Sequence, residues 1–331
     1  MQAKSTAKGL SVAKIAFLDT TKLAFDFNFH GMATLLAGAG HDLMLLHGVP
    51  DGGKPPIPGV QYVCCSWMGM ALTEFERFNP DYVVVFNGYH PHRYAATRYI
   101  EQRWRTYYVE NGWLPQEGSL YLDTEGLGKS IQKTQYHPQR TSEYLALRDS
   151  AIANLQSNYA TSPSKANGLP KDYILVPLQL EQDTSIIFNS PYFKTMLTFV
   201  HYVNRHFCDR PIVIKTHPKS LVDFDFPGVR IIREKTSMNA LVQGASLVVG
   251  INSTSLIEAL VHYKPVAALG YNVASGRGAF IGEPKEMMFG NPRDVLDRAV
   301  DRGCIDDALY FLTQQQFSRE RPCGSILKHF V

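Results

Sequence analysis

Cysteine is scarce in this chain, and neither sign of charge prevails. The five cysteines, Cys64, Cys65, Cys208, Cys304 and Cys323, are odd in number, include an adjacent pair and form no C-x-x-C spacing. That usage argues against a disulfide framework or a structural zinc site and fits a reducing cytoplasm. Lysine and arginine outnumber aspartate and glutamate by only 33 to 30, too even a balance to imply nucleic acid as a partner. Any anion must therefore be held by local placement of groups and not by a bulk field. Long apolar runs are missing too. Thr236–Ile257 is uncharged but is interrupted by Asn239, Gln243, Asn252 and several hydroxyl side chains, so it reads as helix, turn and strand, not as a membrane span. Lys14 and Asp19 confine the apolar segment Ile15–Leu18 too tightly for a signal peptide. There is no D-x-D motif, no His/Asp cluster with metal-ligand spacing, no internal repeat and no low-complexity segment. No metal or other cofactor is expected.

What is present is ordinary globular composition, 45% hydrophobic and 19% charged over 331 residues, enough for two cores. Strand-like and helix-like patterns alternate, which predicts mainly parallel sheets covered by helices. In the first half, strands are expected at 14–19, 41–48, 81–88 and 106–112, with helices at 31–40 and 92–104. The stretch 161–172, TSPSKANGLPKD, concentrates turn and linker residues. After it, strands are expected at 173–178, 211–217, 228–234, 246–250 and 265–270, and helices near 191–207, 238–245 and 253–263. The expected architecture is α/β of the GT-B kind: a Rossmann-like domain over residues 1–165 and a second over 170–331, with parallel sheets facing a cleft.

Four motifs fall at the C-terminal ends of predicted strands, where open α/β sheets bind ligands. In LQLEQDTSI (178–186), Gln179, Glu181 and Asp183 follow a buried strand directly. If this segment stays extended, the two carboxylates share one face. IKTHPKS (214–220) delivers His217 and Lys219, an imidazole and an ammonium suited to phosphate. GINSTSLIEAL (250–260) turns at Gly250–Asn252 and opens a helix with Ser253, Thr254 and Ser255. Those residues are also ordinary N-caps, but their hydroxyls and free N–H groups suit an anion. Glu258 lies one turn further along. YYVENGWLP (107–115) ends a strand with Glu110 beside Trp113 and Leu114, a setting for a proton-carrying carboxyl. The stretch DTEGLGKS (123–130) ends like a phosphate-binding loop, but Asp123 stands where the first glycine is required; it reads as a flexible loop.

Taken together, VENGW, the Q-x-E-x-D-x-S-I pattern, HPKS and NSTSLIEAL resemble the capsule and lipopolysaccharide β-Kdo glycosyltransferases over roughly residues 80–270. The chain departs from the capsule pattern in reading E-Q-D-T where many members read E-D-D-A. The resemblance implies a GT-B enzyme that uses CMP-Kdo and retains anomeric configuration by double displacement. It implies Asp183 as nucleophile and Glu110 as acid/base. It also implies donor contacts from His217, Lys219, Ser253, Thr254, Ser255 and Glu258, with Gln179 and Glu181 at the same site. Acceptor residues are not indicated. The expected partners are CMP-Kdo and a saccharide or lipid-linked saccharide; no nucleic acid is expected. The expected place is the cytoplasm, with peripheral association with the inner membrane or other biosynthesis proteins left open. Three other readings share parts of the pattern: an inverting CMP-sialic acid transferase, a CDP-glycerol or CDP-ribitol phosphotransferase, and a non-catalytic nucleotide- or sugar-binding protein.

Overall fold

The computed structural model describes residues 12–19, 28–47, 56–65, 68–160, 168–220, 225–233 and 236–331. Among them the strands run, in chain order, β1 (Lys14–Asp19), β2 (Asp42–His47), β3 (Val60–Cys64), β4 (Tyr82–Phe86), β5 (Arg105–Asn111), β6 (Ser119–Asp123), β7 (Tyr173–Pro177), β8 (Ile212–Lys215), β9 (Arg230–Ile232), β10 (Ala245–Gly250), β11 (Val266–Ala268) and β12 (Gln316–Ser318). Every strand expected from the sequence is among them. The expected 228–234 strand is shorter, and its last residue, Glu234, lies outside the described residues.

The strands form two sheets. The first has the order β12-β6-β5-β4-β1-β2-β3. It is parallel from β5 to β3, while β6 and β12 join antiparallel. The second, β11-β10-β7-β8-β9, is parallel throughout. Parallel strands are buried on both faces and so read as continuous apolar runs. All five residues of β4 (YVVVF) and all five of β7 (YILVP) are buried. In the second unit, Ile174 and Val176 pack with Ile214, Val249, Phe199 and Val203. Each such side chain contributes about 1.5–3 kcal/mol by leaving water.

The chain divides into two compact units that do not follow the expected domain limits. One contains residues 1–112, 117–127 and 316–331; the other contains 113–116 and 128–315. The C-terminal segment joins the first unit because β12 extends its sheet beside β6. Phe330 is also fully buried there, and the Tyr82 and Tyr107 hydroxyls donate to the carbonyls of Val331 and His329. Of the expected linker, residues 161–167 lie outside the described ones. The helix before it, Ser142–Ala160, is part of the second unit.

That helix is held to helix Arg302–Gln315 by Asp307, which is 7% exposed. Oδ2 of Asp307 accepts from Nε and Nη2 of Arg140 at 2.9 and 2.7 Å. Oδ1 accepts from Arg148 Nη1 and the Tyr144 hydroxyl, both at 2.9 Å. Burial acts to raise the Asp307 pKa, but the hydrogen bonds from Arg148, Arg140 and Tyr144 outweigh it and hold it below the usual range. Asp307→Ala removes the acceptor of Arg140, of the Tyr144 hydroxyl and of Arg148 Nη1, while Arg148 keeps Asp149. It should lower unfolding free energy by about 3 kcal/mol, measured as a reduced midpoint in urea.

Candidate active site

Strand β7 is central in the second sheet, with β10 on one side and β8 on the other. The chain leaves β7 toward β8 and later returns on the opposite side as β10. This reversal of direction creates the crevice at which open parallel sheets hold ligands. Three of the four sequence motifs follow these three adjacent strands: LQLEQD after β7, HPKS after β8 and INSTS after β10.

The two carboxylates after β7 do not share an extended face. The Asp183 N–H donates to the Leu180 carbonyl at 3.0 Å, so residues 180–183 turn and the strand's alternation ends. Asp183 becomes the N-cap of helix Thr184–Asn189. Its Oδ1 accepts from the Ser185 N–H at 2.9 Å and from the Ser185 hydroxyl at 2.7 Å. Its Oδ2 receives only a longer contact, 3.3 Å, from Gln179 Nε2 among the hydrogen bonds found. Glu181 is used differently. Its Oε1 accepts from the Met196 N–H at 2.9 Å, satisfying an otherwise unpaired donor at the start of helix Met196–Phe207. Gln179 is 7% exposed and engages protein groups: Asn252, Ser185 and Asp183.

After β8, His217 is half-buried and Lys219 is exposed. The Lys219 backbone N–H donates to His217 Nδ1 at 3.1 Å, which places the proton of the neutral ring on Nε2. Burial lowers the His217 pKa; the Asp183 charge opposes that shift, and Lys219 and Lys215 add to it. His217 therefore offers a neutral N–H donor close enough to Asp183 to feel its charge. After β10, Ser253 is the N-cap of helix Thr254–Val261, its hydroxyl oxygen accepting from the Ser255 N–H at 3.2 Å. The Thr254 hydroxyl lies 3.4 Å from Gln116 Oε1. The turn thus combines helix-capping with free hydroxyl valences. Glu258, inside that helix, is half-buried, and burial raises its pKa to about 7. It neighbours Tyr159, whose phenol is raised by burial and then by the Glu258 charge.

Glu110 belongs to the first unit and the other candidates to the second. It is half-buried on β5, opposite Tyr121 of β6. Tyr121 is pushed well up by burial first, and then by the Glu110 and Asp123 charges. The segment after β6 is a tight turn instead of the expected loose loop. Buried Asp123 Oδ1 accepts from the Glu125 and Gly126 N–H groups at 2.7 and 2.6 Å. Asp123 is thus a turn-former, standing where a phosphate loop has its first glycine.

Sequence reasoning passed over Asn252 and Ser185 as working residues. Asn252, 7% exposed, donates from Nδ2 to the Ser185 carbonyl at 2.8 Å. Its Oδ1 accepts from Gln179 Nε2 at 3.1 Å, and its N–H donates to Gln179 Oε1 at 3.3 Å. The available signal was the D-x-S spacing, the spacing of a side-chain cap. Among the described residues, no three His, Cys, Asp or Glu side chains gather as metal ligands, and no helix is long and apolar enough to cross a membrane.

Residues 133–285 match the model of a family described as capsule polysaccharide biosynthesis protein. Protein FixF of Sinorhizobium fredii strain NGR234 is 31% identical over 206 residues, covering 58% of this chain and 49% of FixF. The chain thus spans about half the length of that curated relative. Two solved structures from Thermosulfurimonas dismutans KpsC are similar over nearly all of it. The one described as a beta Kdo 2,4 transferase has a TM-score of 0.61 at 13% identity and covers 95% of this chain and 97% of its own. The one described as a beta Kdo 2,7 transferase has a TM-score of 0.55 at 19% identity and covers 92% of each chain. The fold is α/β of the GT-B kind, and the resemblance to capsule-type β-Kdo transferases read from the motifs is borne out.

Glu258 makes the stability of the second unit pH-dependent. An ordinary glutamate ionises near 4.5, whereas this one holds its proton to about 7. Between those values the folded chain binds more protons than the unfolded one, so stability falls as pH rises through the window. Glu283, raised to about 7 mainly by burial, acts in the same direction. Glu258→Gln should remove its share, about 3 kcal/mol. Thermal unfolding from pH 4.5 to 7.5 should show a shallower decline than wild type.

Proposed function

We propose that this chain transfers Kdo from CMP-Kdo to a saccharide acceptor of capsule or O-antigen biosynthesis, with retention and through a sugar covalently linked to Asp183. The observation that carries this reading is the mounting of Asp183. Its carboxylate leaves the central strand with Oδ1 anchored by Ser185 and Oδ2 lightly held, beside His217 and next to the turn that starts with Asn252. A nucleophile fixed as a helix N-cap just beyond the central strand loses little freedom in reaching attack geometry. The family model and the Kdo-transferase neighbours support the donor class.

In the first step an Asp183 oxygen attacks the anomeric carbon. The bond from that carbon to the phosphate oxygen breaks, and CMP leaves with the electron pair. The His217 Nε2–H and the N–H and hydroxyl groups of Ser253–Ser255 take up the developing phosphate charge, and Lys219 adds a cation. Glu258 serves the ribose hydroxyls. In the second step an acceptor hydroxyl attacks the same carbon, its proton passes to Glu110, and the electron pair returns to the Asp183 carboxylate. Charge neutralisation by these groups requires no metal in this scheme.

Incubation with CMP-Kdo alone should add the mass of one Kdo residue, and peptide mapping should place it on Asp183. Asp183→Ala should lose adduct and transfer while retaining CMP binding. An adduct on Glu181, or full activity in Asp183→Ala, would remove the assignment. Parallel incubations with CMP-sialic acid and CDP-glycerol distinguish the other donors, and CMP binding without turnover of any donor would indicate a non-catalytic protein.

His217→Ala should weaken CMP binding at least about tenfold, the worth of one hydrogen bond to a charged acceptor. Calorimetry in EDTA measures this without a contribution from divalent metal; an unchanged affinity in a folded variant contradicts the phosphate role.

A further inference from the structure

The oxygens of Asp183 are not equivalent, and counting donors around them explains why. Ser185 Oγ has one proton. It lies 2.7 Å from Asp183 Oδ1 and 3.3 Å from Asn252 Oδ1, so the shorter, charge-assisted bond to Asp183 takes it. Asn252 Oδ1 is supplied by Gln179 Nε2 at 3.1 Å, while Gln179 Oε1 accepts from the Asn252 N–H. The two amides therefore fix each other's orientation. Asn252 Nδ2, donating to the Ser185 carbonyl at 2.8 Å, ties the first turn of helix Thr184–Asn189 to the exit of β10. Gln179 and Asn252 are both 7% exposed, so water cannot readily replace these bonds.

We propose that Asn252 is a positioning residue for the transfer: by holding the Ser185 carbonyl it fixes the N–H and hydroxyl that anchor Asp183 Oδ1, while Oδ2, reached by Gln179 Nε2 only at 3.3 Å, is left as the attacking oxygen. This rests on the reading of Asp183 as the nucleophile. Oδ2 gives its lone pair to the anomeric carbon as the bond to the CMP phosphate breaks. The acyl oxygen left at Oδ1 keeps the hydrogen bonds from Ser185. When the acceptor displaces the sugar, the electron pair returns to Oδ2 and the Ser185 hydroxyl again faces an anion. Because Asn252 directly precedes Ser253, the same turn that meets the phosphate sets the nucleophile's rotamer.

The test uses time-resolved intact mass spectrometry of the full chain with CMP-Kdo alone, with CMP affinity measured in parallel by calorimetry. Asn252→Ala and Ser185→Ala should slow adduct formation by about 10–100-fold while CMP affinity stays within about threefold. Ser185→Thr, which keeps the hydroxyl, should stay within about threefold of wild type. Ser185 is a second site of attack on the same network should Asn252→Ala fold poorly. Adduct formation at the wild-type rate in Asn252→Ala, or a Ser185→Thr variant as slow as Ser185→Ala, would overturn the proposal. A wild-type chain that forms neither adduct nor product sinks the donor reading and this inference with it. A wild-type chain that forms adduct while folded Asn252→Ala and Ser185→Ala keep pace sinks the inference alone.

Discussion

The buried amide pair of Gln179 and Asn252 joins the exits of two neighbouring strands, β7 and β10, that are 73 residues apart in the chain. Each amide has donors and an acceptor that must be satisfied away from water, since an unpaired one costs roughly 1–3 kcal/mol. Gln179 Nε2 supplies Asn252 Oδ1, the Asn252 backbone N–H supplies Gln179 Oε1, Asn252 Nδ2 donates to the Ser185 carbonyl, and Gln179 also reaches the Ser185 hydroxyl and, at a longer distance, Asp183. A sheet edge would otherwise end in three independent loops. Here the loops after β7 and β10 are held in one register.

Helix termini do much of the remaining work. Asp183, Thr195 and Ser253 each cap a helix that begins soon after a turn in the second unit, and Glu181 takes a further N–H at the second of these. The paired carboxylates after β7 thus have separate duties. Glu181 secures helix Met196–Phe207, which carries Phe199, Val200 and Val203 into the core. Asp183 faces the network at the strand exits. Capping occupies one oxygen of the Asp183 carboxylate and leaves the other with only the longer Gln179 contact.

Burial also sets the ionisation of the edge. It keeps the His217 imidazole below its ordinary pKa and raises Glu258 to about 7. Both shifts favour neutral groups, which donate or accept hydrogen bonds without bringing a further fixed charge. Such groups suit a ligand that carries its own charge.

Much of the fold was legible in the residues. The continuous apolar runs of β4 and β7 announce parallel strands because both faces are covered, and the strand–helix alternation predicts the sheets. The motif positions follow as well: HPKS and NSTS had to lie at strand ends, and three parallel strands put their ends on one edge. The domain limits were not legible, because β12 and Phe330 return to the first unit through pairing and packing across some two hundred residues, and local pattern carries no record of such distant partners. The distinction between Glu181 and Asp183 was equally hidden. An extended segment would have put both on one face; the turn at Leu180–Asp183 separated them, and only the position of Met196 gave Glu181 its partner. By itself the sequence determined which segments are strands and where chemically capable residues leave them, since burial periodicity and turn residues are local. Tertiary structure alone decided which of those residues satisfy one another, because a hydrogen bond between Gln179 and Asn252 exists only after β7 and β10 have become neighbours.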